Sequence, residues 1–215
     1  MKRKLLYLLL PLIPIAIGII FACYYSIPRL EYTYSSEYGG YMVSRAFGDS
    51  KEYYIPKEYN GSKVVGVSTR AFFRHKSLEK IVFEAEENID IIGRLSFSEC
   101  PCLKDISISY ASTIEKNAFS YCKSLDKIDL RAKYIGGSAF FGCESLNSLT
   151  LNLGVESIGS YAFSKCNSLE ELYLPKSIKH VYIDAFSYSG LKQLYAPMHI
   201  MDNEYLNTLD YVTYY

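Results

Sequence analysis

The sequence predicts a mostly-β solenoid with a parallel sheet, short helical turns at its Ala-Phe-x-x-Cys segments, and one membrane-spanning or signal helix at the N-terminus. Three observations carry this reading. One pattern comes round six times: an Ala-Phe pair, a small or thiol residue three positions after the Phe, a Leu, then aliphatic residues at Leu+3 and Leu+5. Its period is nearly constant, with Phe72, Phe97, Phe119, Phe140, Phe163 and Phe186 separated by steps of 25, 22, 21, 23 and 23 residues. Self-similarity at that spacing is the mark of coils that cannot bury their apolar faces alone and must stack. Lastly, the stretch from Leu5 to Ile27 carries no charge.

Taken from the N-terminus, Lys2, Arg3 and Lys4 precede that uncharged stretch and Arg29 is the first charge after it. About 20 apolar residues suffice to cross a bilayer, and basic residues before the span place everything after it outside. Residues 1–25 therefore read as an uncleaved anchor, as a lipoprotein signal with Cys23 the lipidated residue, or as a cleaved signal, and all three export the rest. Residues 26–40, rich in Tyr and Ser, read as a spacer. Residues 41–67 read as an N-terminal cap hairpin, with Asn60-Gly61 the two-residue turn between extended segments.

Residues 68–197 hold the six repeats. In LDKIDL, Ile128 and Leu130 alternate with charge like a half-buried strand, and Leu125 turns inward just before it. Leu146, Leu149 and Leu151, and Leu169, Leu172 and Leu174, repeat the arrangement. One strand per coil pairs side by side at about 4.8 Å. A return leg adds Ile92, Ile114, Ile135, Ile158 or Val181, and the Phe column stacks from coil to coil. A short helical turn across AFxxC turns Ala, Phe and Cys inward. Residues 198–215 close the far end, with Asp202 capping a short helix that carries Tyr205, Leu206 and Leu209 before an extended Tyr211 to Tyr215.

The run IGSYAFSKCNSLEELYLP, Ile158 to Pro175, resembles the BspA-like, or Treponema-type, leucine-rich repeat, and about two thirds of the chain fits that pattern. IPKEYNGSKVVGVSTRAF, Ile55 to Phe72, resembles the hairpin that opens such domains. The second repeat departs with Ser96 for Ala, and the last drops a residue before Leu191. Relatives of this kind are mostly bacterial or protist surface proteins, some of them adhesins. The resemblance thus implies a leucine-rich repeat solenoid serving recognition, with no chemistry of its own.

Composition agrees. The 23 basic and 23 acidic residues give a formal net charge of zero, which offers no electrostatic grip on nucleic acid. Cys100, Cys122, Cys143 and Cys166 occupy one repeat column, with His75 and Ser189 at its ends. A straight row of equivalent positions does not make the tetrahedron zinc requires, and parallel Cβ vectors do not meet disulfide geometry. The column reads as buried free thiol acting as a small hydrophobe, while Cys102 stands off it. His75, His180 and His199 belong to no metal or nucleophile motif: His75 fills a Cys slot, His180 reads as a turn residue and His199 as part of the cap. Adjacent Glu170 and Glu171 point to opposite faces of a strand. The sequence nominates no catalytic residue, cofactor or metal.

What remains is a surface. Outward strand positions form two columns on the open sheet face: Lys80 and Val82, Asp105 and Ser107, Lys127 and Asp129, Ser148 and Thr150, Glu171 and Tyr173, Gln193 and Tyr195. The resemblance makes this the ligand-facing side, and tyrosines are enriched at interface hot spots. The expected function is a membrane-anchored surface module recognising an extracellular protein or glycan; the alternative is a structural subunit of the cell envelope with no dedicated ligand.

Overall fold

The computed structural model describes residues 28–84, 89–107 and 110–215. The helix expected over residues 1–25, and Cys23 within it, lie outside the described residues. The chain opens with β1 (Arg29–Ser35), β2 (Gly40–Phe47), β3 (Glu52–Ile55), β4 (Glu58–Tyr59) and β5 (Ser62–Val67). Then come pairs of short strands, one pair per coil: β6 (Lys80–Phe83) and β7 (Ile89–Ile92), β8 (Asp105–Ser107) and β9 (Ala111–Ile114), β10 (Lys127–Leu130) and β11 (Ala132–Ile135). β12 (Ser148–Leu151) and β13 (Ser157–Ile158), β14 (Glu171–Tyr173) and β15 (His180–Val181), then β16 (Gln193–Ala196) and β17 (Val212–Tyr214) complete it. The result is a mostly-β parallel solenoid. Return legs pair in the order β1-β2-β5-β7-β9-β11-β13-β15, parallel from β2 onward. The opposite, open face carries β3-β6-β8, β10-β12 and β14-β16-β17.

The Ala-Phe segments are not helical; they are hydrogen-bonded turns with two left-handed residues each. The residue before the Ala (or Ser96) and the second after the Phe have positive φ in every repeat: Arg70 and Arg74, Leu95 and Glu99, Asn117 and Tyr121, Ser138 and Gly142, Tyr161 and Lys165, Asp184 and Tyr188. A left-handed residue cannot continue a right-handed helix. What holds it is an alternation of partners. In the third repeat Asn117, Phe119 and Tyr121 donate their N–H groups to Gly137, Ala139 and Phe141 of the next coil at 3.1, 2.7 and 2.7 Å. Ala118, Ser120 and Cys122 between them donate within the coil to Glu115, Asn117 and Phe119, each at 3.2 Å. Every second N–H thus points along the solenoid axis, and a buried one without a carbonyl ahead of it is costly.

Inside, the six Phe rings stack face to face, with successive centroids 4.9, 5.2, 5.1, 5.3 and 6.0 Å apart. All six are buried, as are Leu78, Leu103, Leu125, Leu146, Leu169 and Leu191 at the inward turn. Each column cysteine donates its thiol to the Phe carbonyl of the preceding coil: Cys122 to Phe97 at 3.1 Å, Cys143 to Phe119 at 3.2 Å.

The two ends imitate the coil that is missing. Residues 29–40, expected as a spacer, are instead β1 and the turn into β2; Leu30 and Tyr32 pack on the core from the inner face of an antiparallel hairpin. β2 and β3 make a coil ahead of the first repeat, because Val43 accepts from Ser68 as Val67 accepts from Gly93 and Ile114 from Gly136. Tyr53 lays its ring edge-on to Phe72 at 5.4 Å. Asn60 and Gly61, with φ of 50° and 73°, form the turn between β4 and β5. At the far end two 3-10 turns, Met198–Ile200 and Leu206–Thr208, replace the expected helix. Asn203 rather than Asp202 supplies the side-chain acceptor, to Leu206 N–H at 2.9 Å. Tyr205 stacks on Phe186 at 6.5 Å, and its hydroxyl accepts the Phe186 N–H at 3.1 Å, standing in for the carbonyl of an absent seventh coil.

Two outcomes are expected. Ser138→Gly relieves a left-handed side chain and raises stability by about 0.5 kcal/mol, whereas Gly142→Ala, whose new methyl meets the Tyr121 ring at 3.0 Å, lowers it; urea melts of the pair check the opposed signs. Tyr205→Phe keeps the ring but orphans the Phe186 N–H at a cost of about 1–3 kcal/mol, so amide exchange at Phe186 should accelerate while that at Phe119 holds; unchanged exchange at Phe186 refutes the cap.

Candidate recognition surface

The open face places the expected columns in register. Lys80 stands beside Asp105, Lys127 beside Ser148 and Glu171 beside Gln193; Asp129 stands beside Thr150 and Tyr173 beside Tyr195. The extra coil extends both columns with Glu52 beside Lys80 and Tyr54 beside Val82, and Thr213 follows Tyr195. Sequence reading missed these three residues. A signal for the first two exists: Arg45-Ala46-Phe47 lies 25 residues before Arg70-Ala71-Phe72, but no Leu or Cys accompanies it.

Several of these side chains serve their neighbours. Lys80 pairs with Asp105 at 2.9 Å, Asn152 donates to Asp129, and Gln193 donates to Thr213 Oγ1 at 2.8 Å. Tyr173 and Tyr195 come together: their rings stack at 4.2 Å, 9° from parallel, and Tyr173 stays 56% exposed. Tyr173 donates to Glu171 Oε1 at 3.0 Å. That bond, before burial and the nearby Tyr195, pushes the phenol up to about 12, so it is neutral at any ordinary pH.

Next to this pair the sheet is interrupted. β12 and β14 belong to different ladders on the open face, although their coils remain joined by the Phe140 N–H to Ala162 bond at 2.8 Å and by β13 pairing with β15. The wedge between them is a cleft of about 530 Å³ lined by Ser148, Leu149, Thr150, Glu171 and Tyr173, among others. Leu149 is only partly buried there, while Ile81, Ile106, Ile128, Leu172 and Leu194 at the same strand position are buried. This cleft, too, sequence reading missed.

The column cysteines are committed to the core. Cys100, Cys122, Cys143 and Cys166 are buried free thiols, and burial pushes them up, Cys100 and Cys166 to about 12. They stay protonated and unreactive. Cys102 is a partly buried free thiol. Among the described residues no group of three His, Cys, Asp or Glu is placed to hold a metal. His199 Nε2 lies 2.6 Å from the Ile178 carbonyl; His180 is in β15, not a turn, because its coil continues the return sheet beside Ser157. His75, in the Cys slot of the first repeat, contacts the Tyr53 hydroxyl at 3.1 Å and Ser77 Oγ at 3.5 Å, and Ser77 donates to Asp49. Burial lowers the His75 imidazole below its usual range, with Asp49 opposing.

A stack of parallel coils with one open, tyrosine-bearing sheet face defines a solenoid repeat scaffold. The model of the BspA type leucine rich repeat region matches residues 66–192 in six copies, and the chain belongs to that family. No curated protein matches it. Among solved structures, a T. pallidum leucine rich repeat protein is 23% identical with a TM-score of 0.53, covering 79% of this chain and 72% of its own. A leucine rich cell surface protein of Faecalibacterium prausnitzii is 19% identical with a TM-score of 0.60, covering 78% and 54%. A leucine-rich repeat protein of Bacteroides ovatus is 22% identical with a TM-score of 0.51, covering 80% and 58%. This chain thus spans little over half of the latter two, and these likenesses bear on the fold alone.

The His75 geometry sets a pH dependence. Its folded pKa is depressed, so the unfolded chain binds the proton more readily, and stability falls as pH drops through about 6.5, levelling off below the folded value. Replacing it by the column's own residue, His75→Cys, should flatten the stability profile between neutral pH and the onset of carboxylate titration. An unchanged slope in denaturant melts across that window removes His75 as the cause.

Proposed function

We propose that this protein is a membrane-anchored recognition module whose repeats lie outside the cytoplasm and bind a protein or glycan partner through the open sheet face, with Tyr173, Tyr195 and the adjoining cleft at its centre. The observation that carries this is the stacked tyrosine pair, with Tyr173 exposed, beside Leu149, which is only partly buried at a strand position that the other repeats keep buried. Stacked rings present amphipathic area at low entropic cost, and an apolar floor with hydroxyl and carboxylate walls gives a partner both burial and orientation. Lys80, Asp105, Lys127, Asp129, Thr150, Glu171 and Gln193 flank this centre. Those already paired with one another shape the rim, while Lys127 and Thr150 offer it contacts.

The anchor is supported by the basic Lys2, Arg3 and Lys4 before the uncharged Leu5 to Ile27. Among the described residues no helix is long and apolar enough to cross a membrane. Lipidation at Cys23 is the other route to attachment. Adhesion is one use of such a module. Binding in preference to catalysis is supported by the commitment of the column thiols, His75 and His199 to the core and caps.

The test is partner capture from the native envelope with the full chain, followed by affinity measurement on the Tyr173→Ser/Tyr195→Ser double variant. A loss of tenfold or more, about 1.4 kcal/mol, at unchanged melting temperature is expected. Equal affinity in a folded variant moves the site off this face.

A further inference from the structure

Some cations on this solenoid pair with carboxylates one coil away: Lys123 with Glu144 at 2.8 Å, Lys192 with Glu170 at 2.6 Å, Lys179 with Glu156 at 3.0 Å. Others do not, and four of those gather at one corner. Ala46 donates to Ala71 at 2.9 Å, Arg70 to Arg94 at 3.0 Å and Leu95 to Lys116 at 3.2 Å. These bonds bring Arg45, Arg70, Arg94 and Lys116 to the same edge of four consecutive coils, where the return sheet runs into the Phe turn. At the usual strand spacing the row is about 15 Å long. All four are exposed, and none makes an ion pair with a described residue.

The carboxylates nearby form no ion pair with these side chains. Glu115 accepts the Arg94 backbone N–H through one oxygen at 2.7 Å, and Glu31 stands opposite Arg45 across β1 and β2 without an ion pair. Aromatic rings hold the guanidinium groups instead: Arg45 lies 5.2 Å from the Phe47 centroid, and Arg70 and Arg74 lie 5.6 and 4.8 Å from that of Phe73. A guanidinium over a ring keeps its N–H edge outward, the edge that pairs with phosphate oxygens. The row also sits where the N-terminal stretch arrives. The uncharged run ends at Ile27, and Arg29, two residues on, lies over Phe47 at 3.9 Å in the strand beside Arg45.

We propose that Arg45, Arg70, Arg94 and Lys116 form a docking edge for the phosphates of anionic phospholipid headgroups, so that the solenoid rests against the membrane its own N-terminus enters and its open face takes a fixed orientation. This rests on the anchored reading above. A charged row within reach of the surface adds a second attachment to the span, and its pull decays over a Debye length.

The experiment uses the full chain reconstituted into nanodiscs of phosphatidylcholine alone, or with a third of the lipid replaced by phosphatidylglycerol, and reads amide hydrogen exchange over residues 43–47, 68–74 and 93–96. Several-fold slower exchange in the anionic discs is expected, lost at high salt and lost in the Arg45→Gln/Arg70→Gln/Arg94→Gln variant. Equal exchange of the wild type in both discs overturns the docking edge while leaving the anchor intact. Should the chain fail to enter either disc, the anchored reading falls, and co-sedimentation with vesicles of the same two compositions decides the edge separately. Anionic-selective binding lost in the triple variant sustains it; no selectivity overturns it.

Discussion

Each coil turns its Ala-Phe segment so that alternate backbone N–H groups point along the solenoid axis, and only the carbonyls of the next coil can receive them. This constraint fixes the rest. It demands that successive coils sit in one register at one spacing, which the Phe rings, 4.9 to 6.0 Å apart, match. It forces the flanking residues into left-handed φ whatever their side chains, each at a cost on the order of 1 kcal/mol. The bonds between coils and the burial of the Phe column offset that strain. It also leaves the final coil with unsatisfied donors unless something imitates a further coil.

The caps answer that demand with tyrosine at both ends, by different means. Tyr205 supplies a ring for the Phe column and an oxygen for the Phe186 N–H. Tyr53 comes from the open-face strand β3, covers Phe72, donates its hydroxyl to the Phe47 carbonyl at 2.6 Å and contacts His75 Nε2 with the same oxygen. A residue with an apolar body and one polar tip suits the last layer of a stack, where one side is core and the other must end hydrogen bonding. Charge follows the same register: Glu79 sits between Lys51 and Lys104, and Glu156 between Lys133 and Lys179, each lysine one coil away. Exposed pairs of this kind add little individually, but they disfavour slipped stacking of nearly identical coils.

The Phe, Leu and Cys columns were legible because each puts the same side chain in the same environment coil after coil, and strand phase then gave the outward columns. The turns were not. Arg, Leu, Asn, Ser, Tyr and Asp precede the Ala or Ser, and among all twelve left-handed positions only Gly142 is a glycine; the conformation is imposed by carbonyls some twenty residues ahead, a non-local cause that no local pattern signals. The first coil was hidden because its ring comes from Tyr53, on the strand, and no Leu or Cys follows its Ala-Phe pair. β1 was hidden because its alternation of Leu30, Tyr32 and Tyr34 with Arg29, Glu31 and Thr33 looks like polar, Tyr-rich linker until β2 is laid beside it. Asn60-Gly61 was legible, since both positions of its turn need positive φ and the residue types say so.

The stacking rule also lends support to the proposed binding through the open face. Bonds between coils are kept at the Phe turn and along the return sheet, so an interruption is tolerated only on the third side, and the face takes it between β8 and β10 and again between β12 and β14. The wedge next to β14 exposes part of Leu149, whose counterparts in the other repeats are all buried. Apolar area left uncovered in a coil is worth roughly 25 cal/mol per Å² to whatever covers it. Further along the face the side chains are matched to one another, as Lys80 to Asp105 and Gln193 to Thr213, and a partner would have to displace those bonds to use them. The Tyr173 ring stands at the rim of the wedge, stacked on Tyr195, so in the proposed reading the aromatic surface and the uncovered leucine address the same partner from two sides.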